Sequence, residues 1–158
     1  GGYLGKFEAE DRLLVIYNDG NYEITDQELT QRFETEKVLL IEKFDTKKTI
    51  TAVYFDKEKL QYSVKRFKIE TSTLHNKFFF IKEGDGNYLK AVTTDEDPIL
   101  AMQSGRGGQV RKAKVTLSKV VDVMGWKALG NKLADYNKSI EMEWVVKSAS
   151  NPQAELFE

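Results

Sequence analysis

Short apolar runs, several with strict alternation, dominate the chain. Leu13 to Tyr17, Val38 to Phe44, Thr51 to Phe55, Tyr62 to Ile69, Lys77 to Lys82, Tyr88 to Thr93, Ile99 to Gln103, Val110 to Val115 and Val120 to Met124 are rich in β-branched and aromatic residues, and each predicts a strand. Turn chemistry separates them: Asn18-Asp19-Gly20, Asp56 to Lys59, Gly84 to Asn87 and Ser104 to Gly108. Tyr62 to Ile69 alternates, with Tyr62, Val64 and Ile69 expected on one face if a bulge near Arg66-Phe67 resets the register. Phe78-Phe79-Phe80 is apolar on both faces and suits a strand buried between layers. Two segments carry helical spacing. Thr25 to Phe33 pairs Thr25 with Glu28 as a capping box, and Trp126 to Tyr136 places Trp126, Leu129 and Leu133 on one side, weakened by Gly125 and Gly130.

A hairpin unit recurs. Leu13 to Tyr17 turns into Asn21 to Ile24, Thr51 to Phe55 into Tyr62 to Phe67, and Ile99 to Gln103 into Gln109 to Lys114. Several strands per repeat of roughly 40–50 residues read as propeller-like blades. The expected fold is all-β, a propeller-like disc of about three blades, complete or incomplete. The blades are expected at about 2–46, 47–94 and 95–138, followed by an acidic, partly flexible tail at 141–158.

Composition narrows the chemistry. The chain has 158 residues, no cysteine and a single histidine, His75. Disulfide scaffolds, thiolate metal sites and cysteine nucleophiles are excluded, and a histidine-based metal centre has too few ligands. No apolar run approaches the roughly 20 residues of a membrane helix, and no signal peptide opens the chain. The Gly-Gly start without an initiator Met suggests a piece of something longer.

Net charge is −1, from 24 Lys+Arg against 25 Asp+Glu, but it is unevenly spread. Residues 51–138 hold 16 basic and 10 acidic side chains, whereas 1–50 hold 7 and 11, and 139–158 hold 1 and 4. The second strand of the repeated hairpin carries Lys65, Arg66 and Lys68 in one copy and Arg111, Lys112 and Lys114 in the next, with Glu23 in the first. A basic strand at the same address in neighbouring blades would make a stripe suited to the phosphates of duplex DNA. Edge strands also use Lys to block aggregation. The acidic end could compete with a polyanion for the basic face.

Other candidates are weaker. Gly105-Arg106-Gly107-Gly108 lacks the Gly-Lys-Ser/Thr ending of a P-loop and reads as a turn, with Arg106 a phosphate contact. Asp95-Glu96-Asp97 reads as a solvated loop, Ser72-Thr73 with His75 lacks a matched carboxylate motif, and Trp126 and Trp144 read as packing residues.

These features resemble the C-terminal domain of the A subunit of the bacterial type IIA DNA topoisomerases, gyrase and topoisomerase IV. Gly2-Tyr3-Leu4-Gly5-Lys6-Phe7 followed by Glu10 to Ile16, Ala52 to Asp56 followed by Tyr62 to Phe67, and Gly125-Trp126-Lys127-Ala128-Leu129-Gly130-Asn131-Lys132-Leu133 carry the likeness. The second and third look most like the topoisomerase IV-type subunit of Bacteroidetes-like bacteria. The third resembles a blade-ending Gly-Arg-x-x-x-Gly-Val-x-Leu pattern, with Trp126 in place of the Arg. The resemblance spans about residues 2–135. It implies a β-pinwheel whose blades exchange strands, which binds and bends duplex DNA on a basic rim and presents a segment for ATP-driven strand passage. It implies no catalytic residue, metal or cofactor in this domain. Its implied partners are duplex DNA, the remainder of the topoisomerase chain that carries it and, through that chain, the ATPase-bearing B subunit, in the cytoplasm at the nucleoid. The gyrase Gln-Arg-Arg-Gly-Gly-Lys-Gly box has no counterpart; Gln103 to Gln109 holds one Arg in another blade context, favouring topoisomerase IV-like bending over chiral wrapping. The expected contacts are Lys65, Arg66, Lys68, Arg106, Arg111, Lys112, Lys114, Lys127 and Lys132. The competing expectation is a propeller-like protein-interaction module that does not touch DNA.

Overall fold

Three hairpins organise the structure, a computed structural model that describes residues 12–26, 37–70, 73–84, 86–105 and 110–146. β1 (Arg12–Tyr17) pairs antiparallel with β2 (Asn21–Asp26), β4 (Thr49–Asp56) with β5 (Gln61–Lys68), and β8 (Ile99–Ser104) with β9 (Arg111–Thr116). The first turn shows why the sequence folds here. Asn18 and Asp19 bridge Tyr17 O to Gly20 N at 3.1 Å, and Gly20 takes φ +88°, which glycine adopts at no steric cost.

Each hairpin then gains a strand on the outer edge of its first strand. β3 (Val38–Lys43) pairs with β1, β7 (Tyr88–Thr93) with β4, and β12 (Glu141–Trp144) with β8. A further strand comes from the following repeat. β6 (Lys77–Phe79) covers the outer edge of β2, while β10 (Val123–Met124) and β11 (Asn131–Asp135) cover that of β5. The three sheets run β3-β1-β2-β6, β10-β5-β4-β7 with β11 also on β5, and β12-β8-β9. The architecture is all-β and propeller-like, as the hairpin repeat predicted. Because the covering strands cross between repeats, no sheet is one contiguous stretch of sequence.

The middle sheet is buried on both faces. Ile50, Ala52, Tyr54 and Phe67 join Leu14, Ile16, Tyr22 and Ile24 of the first sheet in one core, with Phe80 and Ile81. Val53, Phe55, Tyr62 and Val64 join Leu100, Leu117 and Val121 in a second core on the side of the third sheet. Aromatic rings fill the first core: Tyr22 stacks on Phe78 at 5.2 Å, and Phe67 meets Phe80 at 5.0 Å.

This double burial corrects three expectations. The β4–β5 register is unbroken from Thr49–Lys68 to Asp56–Gln61, so the bulge at Arg66-Phe67 is absent and Ile69 joins the core of Phe67, not that of Tyr62 and Val64. Both faces of β5 are packed, so no reset to a single apolar face is needed. The helix expected over Trp126 to Tyr136 is a turn at Gly125–Ala128 followed by β11. Gly130 explains the choice: its N–H donates to Tyr54 Oη at 3.0 Å, and an added Cβ would lie 2.7 Å from both Tyr54 Oη and Val64 O. Of the other helix candidate, Thr25 and Asp26 end β2, and 27–33 lies outside the described residues. Third, 141–144 is a strand and not a tail. Met142 and Trp144 pack on the second core, and Trp144 Nε1 donates to Val92 O of the middle sheet at 3.1 Å.

Gly130→Ala is expected to cost about 2 kcal/mol, because backbone as well as the Tyr54 ring must move. A lowered urea midpoint with an unchanged m-value checks this.

Candidate nucleic-acid interface

The two basic strands that look equivalent in sequence occupy different environments. β5 lies inside its sheet, between β4 and the covering strands β10 and β11. Lys65 and Arg66 are accordingly 3% and 8% exposed. Lys65 Nζ donates to Phe80 O and, at 2.6 Å, to Trp126 O, and lies 5.6 Å and 6.0 Å from the ring centroids of Phe67 and Phe80. Burial lowers its pKa from 10.5 to about 8. Arg66 Nε donates to Thr51 Oγ1 at 3.1 Å across the β4–β5 ladder, and its Nη2 to Glu96 O at 3.3 Å. Both side chains are buried, with carbonyl and hydroxyl partners inside the protein. This corrects the expectation that both lie on a basic rim. The physical reason is the pair of strands donated from residues 123–135, which convert an expected edge into an interior.

β9, by contrast, is the edge of its sheet among the described residues, and Arg111, Lys112 and Lys114 are all exposed. Cross-strand register places Lys112 beside Gln103 and Lys114 beside Ala101. Gln103 and Ala101 are in turn paired with Glu141 and Glu143 of β12. One face of this sheet therefore carries a basic column on β9 and an acidic column on β12, two strands apart. The four charged residues line a shallow depression of about 570 Å³ over Ala101 and Gln103. Arg111 projects from the opposite face.

The remaining candidates belong to the middle sheet. Lys68 is exposed at the end of β5, one residue beyond the Phe67–Met124 pair. Lys127 is exposed with its ammonium 5.0 Å from the Trp126 ring centroid. Lys132 on β11 is exposed but bonds Asp135 at 2.6 Å, which offsets part of its charge. Arg106 lies outside the described residues. Sequence reasoning passed over Lys119, which is exposed in the short 3₁₀ turn directly after β9. Its chain proximity to Arg111–Lys114 was the available signal.

Among the described residues no group of three or more His, Cys, Asp or Glu could hold a metal, and no helix is long and apolar enough to cross a membrane. His75 ties a loop to β2. Its backbone N–H donates to Ile24 O at 2.8 Å, Nδ1 lies 3.4 Å from Thr25 Oγ1, and Nε2 lies 3.6 Å from Asp26. Thr25 is fully buried, so this trio offers no reachable nucleophile.

Strand-exchanging antiparallel sheets with basic side chains exposed on β9 define an all-β, propeller-like domain. The chain belongs to the family described as the topoisomerase C-terminal domain of Bacteroidota, whose signature matches residues 1–143. No curated protein matches the chain. The family places it within a larger topoisomerase.

Proposed function

We propose that this domain binds duplex DNA through phosphate contacts, with Arg111, Lys112 and Lys114 of β9 as the principal site. The observation that carries the reading is that the cations of β9 are exposed while Lys65 and Arg66 of β5 are buried. Lysine and arginine on a strand neutralise phosphates without reading base edges, so binding is sequence-tolerant. Lys119 extends the site. Lys68, Lys127 and Lys132 supply a second set of cations on a different sheet, and contacts at two places on one domain can offset the cost of bending a duplex between them. The domain then presents a DNA segment to the rest of a type IIA enzyme, as an accessory part of the chain that carries it, and does no chemistry itself.

An anisotropy titration with a labelled duplex across salt tests the reading. Binding at low salt that falls steeply with added salt and is the same for unrelated sequences is expected. Absence of binding at low salt, or binding that ignores salt, sinks it.

The acidic column on β12 should oppose this binding. Glu141→Gln with Glu143→Gln is expected to raise duplex affinity severalfold at low salt, since both carboxylates share a face with Lys112 and Lys114. The same titration on this variant checks it.

A further inference from the structure

The outer face of the third sheet is charged in rows. Lys112, Gln103 and Glu141 form one row across β9, β8 and β12, and Lys114, Ala101 and Glu143 form the next. Leu100, Met102, Met142 and Trp144 pack into the second core, so the rows lie on the face turned away from it. Cation and carboxylate in each row stand two strand spacings apart, about 9–10 Å. All four charged residues are exposed, and none makes an ion pair among the described residues.

This pattern is its own complement. Turning a second copy face to face about a twofold axis along β8 keeps each row at its level and exchanges its ends. Lys112 of one copy then lies over Glu141 of the other, and Lys114 over Glu143. Gln103 meets Gln103 on the axis, where two side-chain amides can pair, and Ala101 meets Ala101, whose small side chains let the faces close. Sheets stacked face to face lie about 10 Å apart, within the joint reach of Lys and Glu, with strands within about 30° of each other. Turning the copy about an axis across the strands sets Lys over Lys and Glu over Glu, which costs several kcal/mol by the usual measure of like-charge contacts and is rejected. The charges therefore select one arrangement of two copies, and in it all four charged residues of each copy gain a partner.

We infer that the outer face of the third sheet is a self-association surface, on which two copies of this chain pair through an isologous twofold contact of Lys112 with Glu141 and Lys114 with Glu143. A duplex and a second copy compete for the same two lysines, so pairing withdraws them from the proposed phosphate site. The inference goes beyond the DNA reading and does not depend on it.

Sedimentation equilibrium of the 158-residue chain tests it. Exposed ion pairs contribute little each, so the contact is weak and the measurement runs up to about 1 mM chain. A monomer–dimer equilibrium is expected at low salt, at least tenfold weaker at about 0.5 M salt, where charges are screened within a few ångströms. Lys112→Glu with Lys114→Glu makes both columns acidic, and Glu141→Lys with Glu143→Lys makes both basic. Each variant alone should associate at least tenfold more weakly than the wild type, and an equimolar mixture of the two should dimerise at least as well as the wild type. A wild type that stays monomeric at low salt, a dimer that ignores salt, a variant that pairs with itself, or a mixture of folded variants that does not pair overturns the inference. The wild-type salt series needs no variant, so the test stands even where a substitution disturbs folding. A duplex titration at chain concentrations far below the association range reports the DNA reading separately.

Discussion

Replacing Arg111, Lys112 and Lys114 together by Gln is expected to weaken duplex binding by roughly 100-fold or more at 0.1 M salt. Each phosphate neutralised by a cation releases counterions, and observed affinity varies with salt to a power of about −0.9 per contact. Removing three such cations at once therefore takes away more than two decades at that salt. Folding should be untouched. The three side chains are exposed on an edge strand and take part in no ion pair among the described residues, so their neutralisation costs the folded state little. An unfolding midpoint matching the wild type, measured beside the anisotropy titration, separates an effect on binding from an effect on folding.

The opposite pattern is expected at Lys65. Lys65→Ala should destabilise the domain by about 3 kcal/mol or more. It leaves the carbonyls of Phe80 and Trp126 without their donor and opens a cavity beside the Phe67 and Phe80 rings. Phe80 follows the strand covering the first sheet, and Trp126 follows β10, so one ammonium ties segments of two covering strands to β5. Lys65→Met fills the space and should be less destabilised. Either variant, where folded, should keep wild-type duplex affinity. Urea unfolding and anisotropy, run in parallel, check both halves.

Lys65 also sets a pH dependence. In the folded state it loses its proton at about pH 8, while the unfolded lysine holds it to 10.5. Below pH 8 the cost of burying the cation is present in full. Between about 8 and 10.5 the unfolded chain binds the extra proton, so stability rises with pH through that window. The wild type should gain roughly 1–2 kcal/mol relative to Lys65→Met there, after allowance for solvent screening. A flat difference between the two across that window would contradict the assignment.

The strands were legible in the sequence because their signals are local. Leu13 to Tyr17 is a β-branched and aromatic run beside an Asn-Asp-Gly turn, and it folds as β1. The three hairpins were legible for the same reason. What the sequence could not show was which strand covers which edge. Val123-Met124 is two residues long, and Leu133 in Asn131 to Asp135 lies at helical spacing from Leu129; only their docking on β5 makes them strands. That non-local event decides the site. Lys65-Arg66 and Arg111-Lys112 read alike along the chain, yet the first pair is interior and the second exposed. β12 was missed because Glu141 and Glu143 look like a solvated acidic run, when they are the outward face of a strand whose Met142 and Trp144 point to the core.

The central claim is that β9, and not β5, is the phosphate-binding strand. The salt dependence of duplex affinity tests it most directly, with the slope of log affinity against log salt measured for the wild type and for the Arg111, Lys112, Lys114→Gln variant. The account predicts that the variant's slope is shallower by about 2.7, as three phosphates left without their cations require. An unchanged slope in a variant with a wild-type unfolding midpoint would contradict it.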